Sequence, residues 1–278
     1  MNKVYIKIAL ALLSIAGYMQ NIAYASEPDA NVANNANIVD QKNDTHMLCD
    51  DLDETEMAIK HANEASKLLL KLAENMDDYS PNSTKNENKP IYSKKIGNID
   101  IGMFHFTIKP ASKYSDVKKK LWDFEDIQKS ESKFINGNVA RVYSKFLIIM
   151  EQPNIDPNYV PIKKRYALAA KVKVSNDTTV IICPSRTLNY LNVINEKVNM
   201  KEMLKYTRSI KIGIDAEEAL TKLGTNISGF VIKKGDNDQV HVTYINAIYD
   251  DGHSTDFIHD KKDRDITYSN IVSLKHHI

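Results

Sequence analysis

Apolar residues recur at spacings of three and four along residues 53–76, at Ala58, Ala62, Ala65, Leu69, Leu72 and Met76. That period gathers them on one face and predicts an amphipathic helix. Residues 79–90 carry Pro81 and several Asn without an apolar pattern, and read as a linker. From Ile91 onward the texture changes to strands. Residues 92–96 and 99–108 predict a hairpin around Gly97-Asn98. Residues 112–122 predict a short helix, with Val117 and Leu121 sharing a face. Strand-rich stretches follow at 138–150, 165–174 and 178–183, the last two joined by Ser175-Asn176-Asp177. A long connection over 184–206 is read as helical at 199–206; a strand over 210–214 and a helix over 216–223 come next. The clearest strand pair is 227–234 with 239–249, through Gly235-Asp236-Asn237-Asp238. Residues 260–278 are too polar and mixed to assign. The order predicts an α+β fold with an antiparallel sheet and no internal repeat.

Alternation within the strands gives faces. Tyr166, Leu168, Ala170, Val172 and Val174 share one side of their strand, and Lys171 and Lys173 lie on the other. Val240, Val242, Tyr244, Asn246 and Ile248 alternate with His241, Thr243, Ile245, Ala247 and Tyr249. An apolar face needs a cover, which either core side chains or a ligand supplies; packing alone favours the core. Arg141 shares a side with Val139 and Tyr143, opposite Ala140 and Val142, and the pattern leaves open which set points inward. Turned inward, Arg141 suits a phosphate; turned outward, it is a solvated arginine. Tyr143, Tyr166 and Tyr244 suit either an aromatic cage for a quaternary ammonium or ordinary packing.

The chain has 278 residues, 42% hydrophobic and 26% charged, with 37 Lys+Arg against 36 Asp+Glu. That balance argues against disorder and removes the electrostatic footprint of a nucleic-acid binder. Residues 1–25 have the form of a secretory signal peptide. Lys3 and Lys7 precede a short apolar run, and Ala23-Tyr24-Ala25 ends it. Residues 26–48 read as a disordered leader and 49–278 as one domain. Sequons stand at Asn43, Asn82, Asn176 and Asn226, where Asn226-Ile227-Ser228 opens a strand. Cys49 and Cys183 are either one bridge or two structural thiols.

Catalytic patterns are thin. There is no Gly-x-Ser-x-Gly elbow and no glycine-rich phosphate loop, and Cys183 follows a buried-looking Thr-Val-Ile-Ile run. His253, His259, His276 and His277 stand near Asp250, Asp251, Asp256 and Asp260, but without metal-ligand spacing and in a polar tail. The expectation is no enzyme, no metal and no cofactor.

Two groups of segments, taken in order, resemble a known domain. The first runs Leu121-Trp122-Asp123, Arg141-Val142-Tyr143, Lys164-Arg165-Tyr166-Ala167-Leu168 and Thr179-Val180-Ile181-Ile182. The second is Ile227-Ser228-Gly229-Phe230-Val231-Ile232, then Val242-Thr243-Tyr244-Ile245 and Asp250-Asp251-Gly252. Together they resemble the START lipid-transfer domain. The Met-Asn-Lys start, His46-Met47-Leu48-Cys49 and the run Ile96-Gly97-Asn98-Ile99-Asp100-Ile101-Gly102 resemble, more narrowly, the secreted fam-a proteins of rodent malaria parasites.

The resemblance implies a helix-grip fold, in which a curved antiparallel sheet wraps a C-terminal helix and encloses an apolar cavity. It implies one phospholipid as ligand, phosphatidylcholine being associated with the fam-a family, and transient membrane contact by a monomer that is secreted, exported to the host cell or held in the parasitophorous vacuole. On that basis Arg141, Tyr143, Tyr166, Leu168, Ala170, Phe230, Ile232, Val242 and Tyr244 are the expected lipid-lining residues, with Arg141 as headgroup anchor. The alternative is a host-interaction surface protein that keeps the fold with a degenerate cavity. Two departures stand out. Tyr166 follows Arg165 where the family often has Asp, and residues 257–278 carry His-Asp-Lys-Lys-Asp-Arg-Asp where a long amphipathic helix is expected, so this helix reads as shortened or diverged.

Overall fold

A computed structural model describes residues 47–74, 79–81, 91–122, 134–135, 137–152, 165–185, 188, 199–250, 252 and 254–277. The expected signal peptide, the leader up to residue 46 and most of the linker lie outside the described residues. The elements in chain order are α1 (Leu52–Glu74), β1 (Ser80–Pro81), β2 (Ile91–Ile96), β3 (Ile99–Ile108), α2 (Tyr114–Leu121), β4 (Asn138–Ser144) and β5 (Leu147–Gln152). After these come β6 (Arg165–Lys173), β7 (Thr178–Ile182), α3 (Met200–Tyr206), α4 (Ala216–Leu223), β8 (Ile227–Gly235), β9 (Gln239–Tyr249) and α5 (Ser254–His277).

The strands form one nine-stranded sheet in the order β1-β2-β3-β9-β8-β7-β6-β5-β4, and every pairing is antiparallel. From β4 to β9 each strand lies beside its sequence neighbour, and the β2–β3 hairpin then joins the far side of β9. The β4 edge is itself partnered by the segment before α1: the Cys49 amide donates to the Val142 carbonyl at 2.9 Å, and the Val142 amide to the Met47 carbonyl at 2.8 Å. An edge so occupied no longer offers a free ladder to another chain.

α1 forms where the three-four period places it, and Asp51 caps it, with Oδ1 accepting from the Asp53 and Glu54 amides at 3.0 and 3.1 Å. Ala58, Ala62, Ala65, Leu69 and Leu72 are all buried. Three alanines along that stripe let the helix lie close on the sheet. At β8 the fit is closer still. A Cβ on Gly229 would stand 2.6 Å from Leu69 Cδ1 and against the Ile181 carbonyl oxygen, so only glycine leaves the space.

α1 also organises residues 199–224. Ile210 N donates to Glu64 Oε2 at 2.8 Å, and Lys71 Nζ donates to the carbonyls of Ile212 and Ile214 at 2.6 and 3.1 Å. The strand expected over 210–214 is therefore corrected. Its backbone groups are satisfied by α1 side chains instead of a neighbouring strand. The stretch 138–150 proves to be two strands, turning at Lys145-Phe146, where Ser144 Oγ accepts from the Phe146 amide at 3.1 Å. The other correction is the tail. α5 is a full 24-residue helix rather than a shortened one, and it lies over β3 and β9. Asn226 fixes its start, accepting from the Tyr249 amide at 2.8 Å and donating to Asp260 Oδ2 at 2.6 Å.

Gly229→Ala is expected to destabilise the fold by about 1–3 kcal/mol, since a methyl group is forced into a closed notch. A fall in the urea midpoint at unchanged slope measures it. A neutral Gly229→Ala would mean that α1 does not lie where described.

Candidate functional site

The ladders divide the sheet into two faces. Phe230 pairs with Tyr244 and with Ile181, and Tyr244 with Phe104, so these four side chains share a face. Tyr268 of α5 packs against Phe104 and Tyr244 at ring separations of 5.8 and 6.0 Å, which makes this the face beneath α5. It is called the front here. Arg141 pairs with Ile149, Ile149 with Leu168, Ala170 with Ile182 and Ile182 with Gly229, where Leu69 of α1 rests. Those residues form the back, beneath α1.

The expectation of one shared lining is thereby corrected. Phe230, Ile232, Val242 and Tyr244 come together on the front. Tyr166, Leu168 and Ala170 are buried, but on the back, with the whole thickness of the sheet between the two sets. Arg141 and Tyr143 also lie on the back. Arg141 Nε and Nη2 donate to the two oxygens of Glu54 at 2.9 and 3.1 Å, and the Tyr143 hydroxyl donates to Glu54 Oε1 at 2.8 Å. Glu54 is 4% exposed, and this fork of donors is what makes a carboxylate tolerable there. The contact with Glu54 holds the Arg141 guanidinium firmly charged, while burial, then the Glu54 charge, pushes the Tyr143 phenol well above its usual value. Arg141 Nη2 also lies 3.5 Å from Cys49 Sγ. Cys49 and Cys183 are two free thiols rather than a bridge, and burial pushes Cys183 up to about 12.

The front is an aromatic surface. Phe134, Phe230 and Tyr244 follow one another at ring separations of 5.0 and 4.8 Å, and Phe104 meets Phe106 at 5.7 Å. Beside the rings runs a buried polar line. Ser228 Oγ donates to Ser185 Oγ at 2.9 Å, and Asn246 Nδ2 donates to the Tyr244 hydroxyl at 3.1 Å. Burial, then the charge a Cys183 thiolate would carry, pushes the Tyr244 phenol up to about 12, so it stays a neutral hydroxyl.

α5 covers this surface on few supports. Among its described side chains only Arg264, Tyr268 and Ile271 are buried, while Ile258 and Ile266 face outward. The polar support is Asp100, at the start of β3, with Oδ1 2.7 Å from Arg264 Nη2 and Oδ2 2.7 Å from Lys261 Nζ. Gly102 next to it makes room, because a Cβ there would run into the Tyr268 hydroxyl and stand 2.9 Å from Arg264 Cδ. Arg264 Nε and the Tyr268 hydroxyl are buried without a hydrogen-bond partner among the described residues. These two groups escaped the sequence reading, because a charge-rich tail gives no sign of which arginine turns inward. Burial works against ionising Asp100, yet the Lys261 hydrogen bond and the Arg264 charge outweigh it and hold its carboxyl below the ordinary range.

Chemically the front offers apolar surface, hydroxyls, an amide and an arginine. Such a surface suits non-covalent binding of an amphiphile. No group of three or more metal-ligating side chains occurs among the described residues, and Asp251 and His253 of the polar tail lie outside them. No described helix is long and apolar enough to cross a membrane.

An open antiparallel sheet carrying a C-terminal helix across one face is a helix-grip arrangement. No family model and no curated protein matches the chain. Among solved structures, human STARD10 is similar at a TM-score of 0.41 and 11% identity, over 74% of this chain and 78% of that one. The human StarD13 (DLC2) lipid transfer and protein localization domain is similar at a TM-score of 0.31 and 11% identity, over 66% and 80%. Neither likeness is close enough to bear on what this chain does.

Two outcomes are expected. Arg141→Ala strands the Glu54 carboxylate and lowers stability by about 3 kcal/mol or more, read by denaturant unfolding. The Asp100 latch follows the sign of a lowered carboxyl. It contributes fully above the ordinary carboxylate value of about 4 and is lost as pH falls through the lower folded value. Hydrogen-exchange protection of α5, relative to β8, should fall below that pH in the native chain and be low at every pH in Asp100→Asn. Equal protection of α5 in both chains would show that Asp100 does not hold it.

Proposed function

We propose that the chain is a lipid-binding and lipid-transfer protein that takes its ligand between the front of the sheet and α5. The observation that supports this most is the mismatch between the two. Of a face built of Phe104, Phe106, Phe230, Ile232, Val242 and Tyr244, the part over β8 is covered by α2, and the part over β3 and β9 by a helix that buries only Arg264, Tyr268 and Ile271 among its described side chains. Displacing such a helix exposes apolar surface at modest cost, and an acyl chain inserted there gains about 0.8 kcal/mol per buried CH₂. The Tyr268 hydroxyl and Arg264 Nε lack acceptors among the described residues and suit the oxygens of a phosphate headgroup. Arg264 takes the anchoring role in this proposal, since Arg141 is committed to Glu54.

The finer reading extends the resemblance noted in the sequence. We take the ligand to be phosphatidylcholine, the protein to be a secreted member of the fam-a family acting as a monomer, and delivery to occur on brief contact with a membrane. A second reading, an interaction protein with a filled interior, is favoured by one observation. Phe230, Ile232 and Val242 are each 0% exposed, so none of them borders open space in this state.

Organic extraction of the purified chain 26–278, followed by mass spectrometry and a vesicle-to-vesicle transfer assay, separates the two. A stoichiometric phospholipid, with transfer weakened at least tenfold in Arg264→Leu, is the expected result. An empty protein that moves no lipid overturns the carrier reading and leaves the interaction protein.

A further inference from the structure

Of the four sequons, those at Asn176 and Asn226 fall within the described residues, and Asn43 and Asn82 lie outside them. The fold treats the two described asparagines in opposite ways. Asn226 is fully engaged: Oδ1 accepts from the Tyr249 amide at 2.8 Å, and Nδ2 donates to Asp260 Oδ2 at 2.6 Å. Ser228, the third residue of its sequon, is buried, with Oγ donating to Ser185 Oγ at 2.9 Å. A sugar on Asn226 Nδ2 would replace an amide hydrogen and place its bulk where β8 and α5 begin.

Asn176 stands at the tip of the β6–β7 turn, exposed together with Val174, Ser175 and Asp177. The turn is held without it. The Val174 and Ser175 amides donate to the Thr178 carbonyl at 3.0 and 3.1 Å, and the Lys234 amide of β8 donates to the Asp177 carbonyl at 2.8 Å. The side-chain bond that an asparagine commonly supplies in a turn comes from Ser175, whose Oγ accepts from the Asp177 amide at 3.2 Å. Among the described residues the Asn176 amide has no hydrogen-bond partner. A tight turn between two buried strands thus presents an unused carboxamide to solvent, beside the 46% exposed side chain of Val174. A bulky, solvated substituent there displaces nothing and covers an exposed apolar group.

We propose that Asn176 is an N-glycosylation site and that Asn226 stays unmodified in the folded protein. The inference rests on the secreted reading above and is independent of lipid binding. The donor is an oligosaccharide carried on a polyprenyl diphosphate. The Asn176 amide nitrogen bonds to C1 of the first sugar, the bond from C1 to the diphosphate oxygen breaks, the polyprenyl diphosphate leaves with that electron pair, and the amide gives up one proton. The transferase reads the triplet before the chain folds, so the sequence admits both asparagines and the fold tolerates one. The sugar also stands clear of α5: Thr178 pairs with Lys233 near one end of β8, whereas α5 begins beside Asn226 at the other.

The full chain is translated in the presence of endoplasmic-reticulum microsomes. Protection from added protease reports uptake, and peptide N-glycanase in heavy-oxygen water followed by mass spectrometry of the peptides marks each modified asparagine as a labelled aspartate. The expected result is a label at Asn176 and none at Asn226. Asn176→Gln and Thr178→Ala should each lose one glycan on a gel, and Ser228→Ala, which removes the other described sequon, should lose none. Asn176→Gln should also keep the urea midpoint of the unmodified chain, since Ser175 holds the turn. A protected chain with no label at Asn176 overturns the site and leaves secretion standing. A chain that stays outside the microsomes overturns the site together with the secreted reading. A label at Asn226 in protein that folds with α5 protected from hydrogen exchange overturns the contrast between the two asparagines.

Discussion

The constraint on which this fold depends is that its central strands are apolar on both sides. Residues 227–232 of β8 are buried without interruption, and the buried residues of β7 and β9 likewise include neighbours that point to opposite faces. A sheet of that kind needs two covers. The chain supplies them with α1 on the back, and with α2 over β8 and α5 over β3 and β9 on the front. The covers are unequal. α1 brings a continuous stripe of Ala and Leu, a capped start and charged side chains satisfied against residues 199–224. Among the described residues α5 buries an arginine, a tyrosine and an isoleucine, and is fastened by Asp100 to Lys261 and Arg264 and by Asn226 to Asp260.

That inequality underlies the proposed function. The back is closed by close packing and a forked ion pair, interactions whose loss costs stability. On the front, α5 is held by the Asp100 carboxylate, by Asn226 and by the room left at Gly102. On the lipid-carrier proposal, the side of the sheet that opens is the side carrying Phe104, Phe230 and Tyr244.

Much of the fold could be read from the residues. The β2–β3 and β8–β9 hairpins were legible to within a residue because turn chemistry at Gly97-Asn98 and at residues 235–238 agrees with the alternation on either side. α1 was legible from its period. The turn at Lys145-Phe146 was hidden because it uses a serine hydroxyl in place of Gly, Asn or Pro. Ile210, Ile212 and Ile214 imitate a strand, and only the reach of Glu64 and Lys71 from α1 explains why they form none. The site was legible in part. Alternation rightly marked Tyr166, Leu168 and Ala170 as buried, but a single strand does not say which face it shares with another. That depends on the ladder register, and for Arg141 also on the irregularities in β4–β5 pairing. The inward turn of Arg264 and Tyr268 needs the docked helix to be seen at all.

The join between β3 and β9 ties the first long strand of the sheet to the last. Ile99 pairs with Tyr249 and Ile108 with Val240, so the middle of the sheet is sewn from strands at opposite ends of the domain. During synthesis the β2–β3 hairpin emerges early, and its apolar β3 edge must wait until nearly the whole domain has left the ribosome. Through that interval it is a bare template for any extended chain nearby. A chain cut short before β9 leaves that edge without its native partner.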